Sequence, residues 1–83
     1  MNVQEEVLQV LDEVLGLGGR SVGFTLQTHL LGAVPELDSM AVVSIITALE
    51  ERLGIVVADG DLDGSTFETV GSLVRFVAEC PSA

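Results

Sequence analysis

Three stretches of the chain carry apolar residues at helical spacing, each bounded by residues that start or stop a helix. That pattern restricts the fold more than any other feature. Val3, Val7, Leu8, Leu11, Val14 and Leu15 share one helical face over residues 3–15, with Glu5, Glu6, Asp12 and Glu13 elsewhere. Gly16, Gly18 and Gly19 then end that segment. Asp38 opens a second helix over 39–53, with Val42, Ile45, Ile46, Leu49 and Leu53 as its inward stripe and Gly54 as its stop. The β-branched run Val42, Val43, Ile45 and Ile46 imitates a strand, but the capping Asp, the length and the Glu50-Glu51-Arg52 ending favour a helix. Thr69 caps a third helix, where Val70, Leu73, Val74 and Val77 repeat at i, i+3, i+4 and i+7, and Pro81 closes it.

The connections are unequal. Residues 17–38 form a long loop, expected to be ordered because Phe24, Leu26, Leu30, Leu31, Val34 and Leu37 can pin it to the core. Loops longer than about 12–15 residues are uncommon in compact domains unless functional. Residues 55–68 are rich in turn formers, with room for one short helical turn. The expected fold is all-α: three principal helices and a short fourth in a bundle, one domain over residues 1–83.

Composition removes several functions. Thirteen acidic residues stand against three basic ones, all arginine, for a net charge of −10. No basic stripe can follow a phosphate backbone, so nucleic-acid binding is excluded as an expectation. An anionic membrane surface would repel the chain, and no apolar run approaches the roughly 20 residues of a membrane span. Met1–Glu6 lacks the basic, then apolar, pattern of a signal peptide. A single cysteine, Cys80, builds no internal disulfide, which fits a cytoplasmic monomer. With one histidine and neither Trp nor Tyr, several convergent catalytic groups are hard to assemble. The expectation is a binding or carrier module, not an enzyme, with basic partners.

The chemistry concentrates at Asp38-Ser39-Met40. A serine in the first turn of a helix sits where backbone N–H groups are unpaired and the macrodipole is positive. A phosphate ester there is favoured by both. Asp38 can cap the helix and hold a divalent cation near the serine during phosphoryl transfer. An ordinary capped helix carrying an idle serine has the same dipeptide.

Context separates the two readings. Leu37-Asp38-Ser39-Met40, followed by Val43, Ile45, Ile46, Ala48, Leu49, Glu50, Glu51 and Leu53, resembles the Asp-Ser-Leu motif and second helix of acyl carrier proteins. Phe67-Glu68-Thr69-Val70, then Leu73 and Phe76-Val77, is similar to the start of that family's last helix. The resemblance implies a four-helix bundle whose serine, here Ser39 with Asp38 as its motif neighbour, receives 4′-phosphopantetheine from coenzyme A through a phosphopantetheinyl transferase. It further implies acyl groups carried on the arm as thioesters between loading ligases or transferases and synthase enzymes. The partner face would comprise Met40, Val43, Thr47, Glu50 and Glu51; Met40 lines the arm's exit or packs.

The chain departs from that pattern in places. Fatty-acid carriers usually place acids on the first turns of the second helix, where this chain has Ala41 and Ser44, and Thr47 replaces a larger apolar residue. These differences point to a specialised pathway, such as polyketide or lipid biosynthesis, rather than the housekeeping fatty-acid synthase.

Three other features compete for attention. Leu17-Gly18-Gly19-Arg20-Ser21 resembles the Gly-Gly-x-Ser attachment motif of peptidyl carriers, an aminoacyl-loaded alternative on the same scaffold. However, Gly23 follows where a strong helix should run. Asp59-x-Asp61-x-Asp63-Gly64 imitates half of an EF-hand loop, which leaves a calcium-responsive or structural interaction module as a rival. Position eight of that loop is Thr66 instead of an apolar residue, and position twelve is Val70 instead of a bidentate Glu, so no metal site is expected. His29 is isolated, and Cys80 reads as a thiol near a frayed end.

Overall fold

A computed structural model describes residues 2–35, 37–57 and 64–82. Among these described residues three α-helices follow in order: α1 (Val3–Leu15), α2 (Ser39–Leu53) and α3 (Val70–Glu79). α1 packs against both of the others. α1 and α2 span the residues expected from the sequence, and α3 starts after its expected Thr69 cap. Asn2 accepts from the N–H groups of Gln4 and Glu5, Asp38 from Ala41, and Thr69 from Ser72 in a capping box. Gly54 ends α2 at φ 64°, a left-handed conformation that a Cβ disfavours, and donates to the Glu50 carbonyl. α3 stops at Glu79, and extended Cys80 leads into Pro81, as the residue before a proline requires.

The inward faces meet in one core. Val7, Val10 and Leu11 of α1, Ile45 and Leu49 of α2, Val70, Leu73 and Val77 of α3, and Leu30 of the long connection are almost fully buried. Burying a side chain of this kind contributes about 1.5–3 kcal/mol before entropy is counted. Val10 and Leu17 join the core beyond the expected stripe, while Val3, Leu8, Val14, Val42, Leu53 and Val74 lie partly buried at its rim.

In the described part of the long connection only part of the expected apolar pinning holds. Leu30, Val34 and Leu37 are buried and Phe24 packs against the core, whereas Leu26 and Leu31 are largely exposed. Backbone contacts do the rest. Val70 and Gly71 at the start of α3 donate to the carbonyls of Thr28 and Leu26, and Leu30 and Leu31 donate to Glu68 and Phe67. Residues 26–31 thus lie as a strap across the N-terminus of α3. The connection also holds a 3₁₀ turn, Arg20–Gly23. In the second connection residues 64–67 form turns; the short helical turn expected within 55–68 also covers residues 58–63, outside the described residues.

Candidate functional site

Ser39 is the first residue of α2 and is exposed. The capping arrangement explains its availability. Asp38 adopts an extended backbone and its Oδ1 accepts the Ala41 N–H at 2.8 Å, while its carbonyl accepts the Val42 N–H at 2.9 Å. The N–H groups of Ser39 and Met40 have no acceptor among the described residues, and neither has the Ser39 hydroxyl. Among the described residues, then, a hydroxyl without a partner sits beside two unpaired donors at the positive end of a 15-residue helix. These are the groups a phosphodiester on Ser39 would use.

Ser21, the competing serine, is in the opposite situation. It is buried within the 3₁₀ turn, and its hydroxyl donates to Asp12 Oδ2 at 2.8 Å. The same carboxylate accepts the N–H groups of Gly19 at 3.0 Å and Ser21 at 3.3 Å. Asp12 thereby ties the start of the long connection to the end of α1. The Ser21 hydroxyl has the largest influence in holding the Asp12 carboxyl below its ordinary pKa. Partial desolvation opposes it, and the Gly19 and Ser21 N–H groups and the Arg20 charge add to the lowering. Helical spacing places Asp12 only off the apolar face of α1. Its role depends on a contact nine residues away, which no helical periodicity records.

The remaining candidates run along α2 from the residue next to Ser39 to its last turn. Met40 is 75% exposed and Val43 62%, so neither packs into the core. Thr47 is exposed and its hydroxyl donates to the Val43 carbonyl at 3.0 Å. Glu51 is exposed, but Glu50 is half-buried and accepts the Val57 N–H at 3.1 Å, which commits it to the fold. Of the EF-hand-like segment, Asp59, Asp61 and Asp63 lie outside the described residues. Val70, at its twelfth position, is fully buried at the start of α3 and offers no ligand atom. His29 pairs by backbone with Thr69 in the strap. Among the described residues no helix is long and apolar enough to cross a membrane.

Comparison with known proteins bears on the chain's family. Residues 5–77 match the family model described as a phosphopantetheine attachment site. A D-alanyl carrier protein of Enterococcus faecalis is 31% identical over 77 residues, covering 93% of this chain and 95% of that protein. An acyl carrier protein of Clostridium perfringens is 43% identical over 42 residues, covering 51% of this chain and 53% of that one. The solution structure of a holo acyl carrier protein from Nitrosomonas europaea superposes with a TM-score of 0.87 at 50% identity, covering 94% of each chain.

Proposed function

The chain belongs to the phosphopantetheine-attachment family of carrier proteins, and on that premise we propose that Ser39 bears the 4′-phosphopantetheine arm. One observation carries the assignment: the Ser39 hydroxyl is exposed at a helix N-terminus whose first two N–H groups are unpaired among the described residues. When bound, the arm supplies a terminal thiol on which an acyl group rides as a thioester. The chain's own residues hold the linkage: α2 places the ester at its positive end, and Asp38 fixes that end by capping Ala41. In this reading the protein is a non-catalytic shuttle, loaded by a phosphopantetheinyl transferase and then by an acyl ligase or transferase. Its charge of −10 steers it toward basic patches on those enzymes. The lone Cys80 fits a cytoplasmic setting. The uncharged first turns of α2 support a specialised pathway.

Aminoacyl cargo is the second reading, favoured by the D-alanyl carrier relative, whose similarity extends over 93% of this chain. The holo acyl carrier structure, at 50% identity over 94%, favours acyl cargo.

The test is intact mass after incubation with coenzyme A and a phosphopantetheinyl transferase. Wild type and Ser21→Ala should gain one arm, and Ser39→Ala none. The reverse pattern among the variants would move attachment to the buried Ser21, against everything its environment implies.

A further inference from the structure

We infer that Asp12 is a releasable catch on the long connection: when its carboxylate is lost, residues 18–23 come free as a unit while residues 26–31 stay fixed on α3. The catch is independent of any group carried at Ser39. Within residues 18–23 only Ser21 is buried, and Asp12 bonds its hydroxyl. Gly18, Gly19 and Gly23 have no side chain to pack, and Val22 is 89% exposed. The turn bonds from Arg20, Val22 and Phe24 to the carbonyls of Leu17, Gly19 and Ser21 are all local. An isolated turn of this kind does not persist, because fixing its dihedrals outweighs its few bonds. The Asp12 carboxylate adds what the turn lacks. It gathers three donors from seven and nine residues away: the Gly19 N–H at 3.0 Å, the Ser21 N–H at 3.3 Å and the Ser21 hydroxyl at 2.8 Å.

On either side the chain is held by other means. Leu17 is buried in the core and Phe24 packs against it. Further on, the strap exchanges four backbone bonds with residues 67–71: Val70 and Gly71 donate to Thr28 and Leu26, and Leu30 and Leu31 donate to Glu68 and Phe67. None of these backbone groups titrates, so the strap outlasts the catch. Acid is therefore a trigger. The Ser21 hydroxyl above all keeps the Asp12 carboxyl below its ordinary pKa, so the catch holds above about 3.9 and lets go as pH falls through the lower folded value. Arg20 is the cation that the connection brings to Asp12. On the packed helices, Arg52 of α2 is taken up by Glu6 and by Glu13, the next residue of α1, and Arg75 and Glu79 of α3 pair with each other. Over the same pH range the excess negative charge falls, which relieves repulsion and keeps the helices packed while the catch opens.

Backbone amide order parameters of the full chain test this. In Asp12→Asn at neutral pH, residues 18–23 should drop from about 0.85 to below about 0.6, and residues 26–31 should stay near 0.85. The wild type should show the same pattern once pH falls below about 4, with its helices still formed. Should the variant fail to fold, the acid titration of the wild type decides alone. Residues 18–23 that stay rigid in the folded variant would overturn the inference. So would a strap that loosens together with them, or a wild type that loses this segment only when its helices melt.

Discussion

Ser39, which the sequence favours for attachment, and Ser21, which it sets aside, are separated by what their hydroxyls do. The Ser39 hydroxyl has no partner among the described residues, while the Ser21 hydroxyl is committed to Asp12. Ser21→Ala should therefore cost about 1–3 kcal/mol of stability, since it removes a hydrogen bond to a carboxylate. Ser39→Ala, at an exposed position, should cost little, which chemical denaturation of the two variants will show. Asp12 adds a pH signature. Its carboxyl has a folded pKa below the ordinary value, so its contribution is fully present above the unfolded pKa of about 3.9 and is lost as pH falls through the lower folded value. The stability gap between wild type and Asp12→Asn should be constant near neutrality and should close at pH values below about 4. A gap that widens on acidification would mean the Asp12 carboxylate is not stabilised by the loop. Ser39 was legible because helix-start chemistry is local. The Asp12 anchor was not, because the groups it holds, Gly19 and Ser21, are brought to it only by the turn after α1.

At the level of elements, the strap across α3 carries the most definite consequence. A Cβ on Gly71 would lie 2.8 Å from the Leu26 carbonyl oxygen, a backbone atom that cannot yield without shifting the strap. Gly71→Ala raises helix propensity by about 1 kcal/mol, yet the overlap should outweigh it and lower stability by about 1–3 kcal/mol. Thermal unfolding decides the sign, and a more stable variant would show that the strap does not bear on α3. The three helices, with their caps and stops, were readable because apolar spacing and capping residues are written in side chains. The strap was not readable, because its ladder consists of backbone groups that any residue supplies. That is also why Leu26 and Leu31 turned out exposed: residues 26–31 are held by their carbonyls and N–H groups at α3, not by every apolar side chain along them. The 3₁₀ turn at 20–23 was missed for a similar reason, since it lacks an apolar period and rests on the Asp12 carboxylate.

Over the whole molecule, 13 acids and three arginines make repulsion a standing opponent of the compact state. The cations offset part of it locally, Arg52 by joining α2 to Glu6 and Glu13 of α1, and Arg75 by a solvent-exposed pair with Glu79. Such exposed pairs are worth about 0–1 kcal/mol each, too little to cancel the excess. Added salt should therefore raise the melting temperature, and magnesium and calcium should do so to equal extents. A strong preference for calcium would revive a specific loop site. The central claim is chemical, however, and its most direct measurement is the position of the arm. Trypsin cutting after Arg20 and Arg52 leaves Ser21, Ser39 and Ser44 on one peptide, residues 21–52. Fragmentation of that peptide from the protein treated with coenzyme A and a phosphopantetheinyl transferase should place the whole added mass on Ser39. Added mass on Ser21 or Ser44, or none on the peptide at all, would contradict the account.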